Sequence, residues 1–328
     1  MLLITMMARN TTTANSAMLM RILFSFGLIA LIFFDYYFPK FQRCCKGIIF
    51  FVSLEQIFLD LFSYLCKKSD NTMKTKREIV ENWLPRYTGL PLEQFGQYIL
   101  LTNFQNYVDR FAEWQGVEVI GKDKPMPCAT DGEITIINFS MGSANAATIM
   151  DLLGAIHPKA VLFLGKCGAV RKNHVGDFIL PIAAIRGEGA SNDYFPPEVP
   201  ALPAFNLEKA ISTTIRDYGR DYWTGTVYTT NRRVWEHDDE FKEYLRRIRC
   251  LAVDMETATL FSVGFYNEIP TGALLLVSDE PMTPEGVKTE ESDKKVSSNF
   301  VGDHIRIGVD SLRQLINNGM TVKHLRFD

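Results

Sequence analysis

Several things are missing from this 328-residue sequence, and each absence removes a class of function. No C-x-x-C or H-E-x-x-H spacing occurs among its six cysteines and five histidines, so neither a structural nor a catalytic zinc is expected, and no other cofactor is called for. Excess positive charge is missing too: the formal net charge is −3, which gives no electrostatic basis for a nucleic-acid partner held through its phosphates. No glycine-rich loop ends in G-K-[ST] at a helix start, which excludes a Walker-type phosphate cradle. There is no internal repeat and no low-complexity linker. Cys44 and Cys45 are adjacent, while Cys66, Cys128, Cys167 and Cys250 stand alone. That pattern reads as free thiols in a reducing compartment, the cytoplasm, rather than as a disulfide framework.

The chain changes character near residue 72. Residues 1–72 hold 10 of the 23 phenylalanines and the apolar runs "ILFSFGLIALIFF" (22–34) and "GIIFFVSL" (47–54). Seven Lys+Arg against four Asp+Glu make this prefix positive, and the remainder is correspondingly acidic. The 13 residues between Arg21 and Asp35 fall short of the ~20 that a membrane helix needs. No small-x-small cleavage site follows them. The prefix therefore reads as an over-extended start, with a membrane anchor as the rival. Met73 opens "MKTKREIVENWL", a polar beginning that leads into an amphipathic helix.

From Met73 onward apolar runs alternate with helical patterns. Strands are expected at 97–102, 134–141, 160–165, 177–185, 225–230, 250–255 and 272–278, and helices at 145–156, 207–218 and 257–267. Strands apolar on both faces imply a sheet covered by helices on both sides. The expected fold is α/β: residues 73–328 form a single domain with a mixed, twisted central β-sheet flanked by helices. Ligands of such sheets lie at the carboxyl ends of strands, and three of these ends carry chemistry.

"LGKCGAV" (164–170) sets Gly165 and Gly168 about a sharp exit from a buried strand, where glycine lets backbone amides approach a ligand. A plain tight turn would use the same residues. "LAVDMETATLF" (251–261) places Asp254 and Glu256 in an otherwise apolar run, and buried carboxylates need partners. Glu256 stands where a strand gives way to a helix. It suits either a helix-start acid favoured by the macrodipole or an acceptor for two adjacent hydroxyls, as on a ribose. "VSDEP" (277–281) puts Asp279 at the end of a buried strand, as a turn residue or as a carboxylic acid whose pKa is raised by burial and by the neighbouring Glu280.

The order G-x-C-G-A, D-M-E-x-A, V-S-D resembles the purine nucleoside phosphorylase and uridine phosphorylase superfamily over most of 97–318. Its members cleave N-glycosidic bonds of nucleosides on a mixed α/β sheet. Within it, "TTNRRVWE" (229–236) and "SDEPMTPEGVKTEESD" (278–293) are most similar to the branch that hydrolyses AMP to adenine and ribose 5-phosphate. The resemblance implies that Glu256 accepts the ribose hydroxyls, that Met255 packs under the sugar and that Asp279 protonates the leaving purine. The pyrimidine branch lacks this Asp. Phosphorolytic members grip inorganic phosphate with a first-strand segment, a second arginine and a serine. Here Asn103 and Tyr107 take the glycine and arginine positions of that segment, Phe163 the second arginine and Lys166 the serine. Losing both arginines disfavours phosphorolysis. Lys166, Arg232, Arg233 and Lys288 supply other cations for a 5′-phosphate, although surface solvation would explain them as well. Asn103 and Gln105 can orient a water, and Trp235 or Tyr194 can stack on adenine or simply fill core. A homo-oligomer, built from dimers into hexamers, is likewise implied by the resemblance. The rival readings are a purine nucleoside phosphorylase or other purine nucleosidase, and a membrane-attached nucleotide-binding protein without turnover.

Because every one of these motifs lies beyond Met73, a chain starting there is expected to fold and to keep the full chain's turnover. Comparing the two chains by sedimentation and by rate checks this; aggregation or lost turnover of the shorter chain refutes it.

Overall fold

Strand β1 (Tyr98–Thr102) explains the architecture, because its side chains divide between two cores. Tyr98 and Leu100 pack into one cluster and Ile99 and Leu101 into the other, on the opposite face of the sheet. Both faces of such a strand are dry, which is why it reads as an uninterrupted apolar run. In the computed structural model, which describes residues 73–317, helices α1 (Lys76–Thr88), α3 (Ser143–Leu152) and α6 (Thr257–Tyr266) cover one face. Helices α2 (Gln105–Gln115), α4 (Phe205–Asp217) and α8 (Val301–Asn317) cover the other. Two shorter, polar helices, α5 (Asp239–Arg247) and α7 (Glu290–Asn299), lie between these in sequence. The expectations for residues 1–72 fall outside the described residues. No described helix is long and apolar enough to cross a membrane.

The remaining strands are β2 (Cys128–Thr130), β3 (Ile134–Asn138), β4 (Ala160–Ala169), β5 (Phe178–Gly187), β6 (Tyr222–Thr230), β7 (Ala252–Asp254) and β8 (Thr271–Asp279). They form one mixed sheet in the order β2-β3-β1-β4-β7-β6-β5-β8. β1 runs parallel to β3 and β4, whereas β2 pairs antiparallel to β3. β4 also pairs with β8 in parallel along most of its length, so the second half of the sheet closes on itself. The expected mixed sheet flanked by helices is therefore present, and its closure is an additional feature. β4 outruns its expected end at residue 165 by four residues, and β7 is three residues long rather than six.

The two positions where the phosphate-gripping arginines are replaced are packed inside. Phe163 and Tyr107 are fully buried, Phe163 among the α1, α3 and α6 side chains and Tyr107 on the opposite face. The Tyr107 hydroxyl lies 2.9 Å from His304 Nδ1, and His304 Nε2 lies 2.9 Å from the Leu274 carbonyl of β8. A carbonyl only accepts, so Nε2 carries the proton and Nδ1 accepts from the tyrosine. Burial pushes the His304 pKa down to about 4, which keeps the ring neutral and this α2–α8–β8 link intact at neutral pH. Replacing Tyr107 by Phe leaves Nδ1 buried without a donor, at a cost of about 1–3 kcal/mol. Urea unfolding should show that loss; equal stability of the two proteins would mean that the hydroxyl contributes nothing.

Candidate active site

Asp254 ends β7 and is fully enclosed, yet its carboxylate is richly supplied. Oδ1 accepts from the Thr229 hydroxyl of β6 at 2.6 Å. Oδ2 accepts from the Thr257 hydroxyl, from the Thr257 amide at 2.7 Å and from the Glu256 amide at 3.3 Å. The Thr229 hydroxyl in turn accepts from the Ala258 amide at 2.9 Å. Asp254 is therefore the acid that satisfies the first amides of α6, a role a helix N-terminus needs filled. Glu256, in the N-cap position, makes no capping hydrogen bond of its own.

Freed from capping, Glu256 reaches across to the loop after β3, where its Oε1 accepts from the Gly142 amide at 2.7 Å. Gly142 has φ 97°, a left-handed conformation that glycine adopts without penalty. The loop is fixed by the Ser143 hydroxyl, which donates to the Met255 carbonyl at 2.6 Å. The side chain of Asn103, just past β1, also hydrogen-bonds the Glu256 carboxylate, and its own Oδ1 is buried without a partner. Burial, reinforced by the charge of Asp254, pushes the Glu256 pKa well up. Burial also acts on Asp254, but that carboxylate has donors on both oxygens. Of the pair, Asp254 keeps the charge and Glu256 the proton.

Gly168 joins the two acidic strand ends. It pairs with Val253 of β7 on one side and with Asp279 of β8 on the other, across a register shift between Cys167 and Gly168. A Cβ there would lie 2.8 Å from Pro281 Cγ and 3.2 Å from Asp279 Oδ2, so only glycine allows this approach. The sharp strand exit expected at Gly165 is not found. β4 continues through both glycines, and the Cβ space of Gly165 is filled by the Phe163 ring. Asp279 is largely enclosed, with Oδ1 accepting from the Ser278 hydroxyl at 2.5 Å. Burial pushes its pKa up, opposed by the Ser278 hydrogen bond, Lys288 and Arg233; Glu236 adds to the rise. Glu280, expected to contribute, instead turns to His174, whose Nδ1 is 3.2 Å away.

Of the expected phosphate cations, Lys166 and Lys288 meet at Asp293 Oδ1, whereas Arg232 and Arg233 pair with other acids. Lys166 is closed in, its side chain 3% exposed, with Nζ 3.0 Å from Asp293 and 3.1 Å from the Ser297 hydroxyl. Arg232 donates to Asp238 at 2.8 Å and stacks over Phe241, while the more exposed Arg233 meets Glu236 at 3.5 Å. Arg233 and Lys288 oppose the rise in the Asp279 pKa, and Lys166 also feels the Asp279 charge. Trp235 packs edge-on against Phe241, and the Tyr194 hydroxyl donates to Asp151 at 2.7 Å. Gly142, Ser143 and Asp293 escape a reading of the sequence by motif. The signal for the first two is a glycine directly before a helix that follows a strand.

A profile of the phosphorylase superfamily matches residues 98–316. The chain belongs to that superfamily. Similar members include the AMP nucleosidase of Escherichia coli (strain K12), 28% identical over 283 residues that cover 72% of this chain and 58% of that protein. The chain thus spans 58% of the length of that curated relative. The crystal structure of AMP nucleosidase from Bacteroides thetaiotaomicron VPI-5482 is 59% identical, with a TM-score of 0.67, covering 75% of this chain and all of that one. Uridine phosphorylase from Vibrio fischeri ES114, at 23% identity and a TM-score of 0.61, covers 68% of this chain and 93% of that one and shares the phosphorylase-superfamily fold.

The Glu256 shift carries a pH signature. A carboxyl whose folded pKa lies above its unfolded value, about 4.3, binds more protons folded than unfolded. Its contribution is complete below the unfolded pKa and is lost as pH rises through the folded one. Thermal melts of ligand-free wild type and Glu256→Gln should therefore converge at acid pH. The variant should be the more stable above neutrality. A constant difference across that range would place the proton elsewhere.

Proposed function

We propose that this chain hydrolyses the N-glycosidic bond of AMP, releasing adenine and ribose 5-phosphate. The observation that carries the reading is the pairing of Gly168 with both acidic strand ends, which sets Glu256 and Asp279 at one end of the sheet. It is supported by the 59% identity with the Bacteroides AMP nucleosidase over that chain's whole length.

Departure of the base leaves positive charge on the ribose. In this reading Glu256 holds the 2′- and 3′-hydroxyls over Met255 and gives up its proton to solvent as the substrate binds, because positive charge growing on the ribose favours the ionised form. The resulting carboxylate stabilises that charge more in the transition state than in the ground state. The Asn103 Oδ1 acceptor holds a ribose hydroxyl or the attacking water. Asp279, whose pKa burial pushes up, gives its proton to N7, so that the C1′–N9 electron pair leaves on a neutral purine. Water oxygen bonds to C1′, and the proton it sheds restores Asp279 or passes to solvent. Arg233 and Lys288, the cations nearest in effect to Asp279, are assigned the 5′-phosphate, with Gly165, Lys166 and Arg232 supporting the pocket's shape.

The reading extends to a homo-oligomer in the cytoplasm. The exposed Ile182, Leu202 and Phe205 favour burial against another copy, and the free thiols of Cys128, Cys167 and Cys250 suit a reducing compartment.

Adenine should appear from AMP in phosphate-free buffer, and Asp279→Asn should lower that rate about 100- to 10,000-fold while AMP still binds. A ribose 5-phosphate nitrophenyl glycoside, whose leaving group needs no proton, should lose far less. Cleavage of adenosine with a strict requirement for phosphate would overturn the hydrolytic reading, and equal losses on both substrates would overturn the acid role.

A further inference from the structure

Lys166 presents an unusual charge arrangement. Its ammonium is buried at the same end of the sheet as Asp279 and packs 4.5 Å from the centroid of the Phe104 ring. It has one ionic partner, the Asp293 carboxylate of α7, and one neutral one, the Ser297 hydroxyl a turn further on. The same Asp293 oxygen, Oδ1, also meets the Lys288 ammonium at 2.9 Å. Two cations thus share one carboxylate, and the cluster keeps an excess positive charge. Burial lowers the Lys166 pKa, with Asp293 and, more weakly, Asp279 opposing the fall. Two ammoniums and a hydroxyl are the donors that a tetrahedral oxyanion would recruit.

We infer that Asp293 is a specificity-determining counter-ion: its carboxylate occupies the anion place on Lys166 and so keeps free inorganic phosphate out of the site. The inference deepens the hydrolytic reading above and rests on it for its significance. A buried ammonium demands an anion, and a carboxylate tethered on α7 competes at an effective concentration that a dissolved ion does not match. This pairing also explains why Lys166 stands in the strand without facing solvent. Asp293 acts through Lys166 and not on the reacting bond, which makes it a positioning residue.

The experiment titrates inorganic phosphate into the ligand-free protein by calorimetry, with no AMP present. Asp293→Asn keeps the shape and removes the charge, and its phosphate affinity should rise about tenfold or more over wild type, which is 1.4 kcal/mol at least. Adding Lys166→Gln should abolish the gain. Adding Ser297→Ala instead, which removes only a hydroxyl and leaves the buried ammonium in place, should reduce it. Unchanged phosphate affinity in Asp293→Asn, or a gain that survives Lys166→Gln, overturns the inference. Adenine release from AMP is scored separately, so failure of the AMP reading and failure of this one are told apart.

Discussion

The buried pair Asp254 and Glu256 is the constraint on which the site depends. Two carboxylates one residue apart in an apolar interior cannot both ionise cheaply, and the fold resolves this by giving them unequal surroundings. Asp254 receives hydroxyls from β6 and α6 together with the first amides of α6. Glu256 receives the Gly142 loop amide, the Met255 amide and the Asn103 side chain, without a hydroxyl donor. The first carboxylate is consumed in holding three elements together. The second is left with unused capacity in a dry place, which is the condition a binding carboxylate needs.

Sheet closure supplies the other half. Parallel pairing of β4 with β8 and the short antiparallel pairing of β4 with β7 make Gly168 the neighbour of both acidic strand ends. A side chain at Gly168 would meet Pro281 and Asp279, so the approach is set by backbone and not by adaptable side chains. The same face that closes the sheet also buries Lys166. Its charge is then managed locally by α7, and Asp279 also experiences the cations Arg233 and Lys288 and one opposing acid, Glu236.

The surroundings of the acids also separate positions that look alike in sequence. Arg232 and Arg233 are adjacent, yet one is tied to Asp238 and Phe241 while the other remains within electrostatic reach of Asp279. Asp279 and Glu280 are adjacent too, and alternation along the end of β8 sends one inward and the other to His174. Trp235 and Tyr194 are aromatic residues near the site in sequence that serve packing and a hydrogen bond to Asp151.

The sequence by itself determined the six longer apolar strands and the place of the short β7, the mixed helix-covered sheet and the two acids at strand ends, because a strand dry on both faces must be apolar throughout and a polar residue interrupting it is conspicuous. Helices α2, α5, α7 and α8 were not among those expected, and α5 and α7 have Leu245 and Val296 as their only buried residues, so few apolar positions mark them. β2 is three residues long and equally silent. Only the tertiary structure decided that β4 runs on through Gly165, that Asp254 rather than Glu256 caps α6, and that Asp293 reaches Lys166 across 127 residues. Each depends on which distant backbone or charge arrives beside a residue, and no local pattern encodes an arrival.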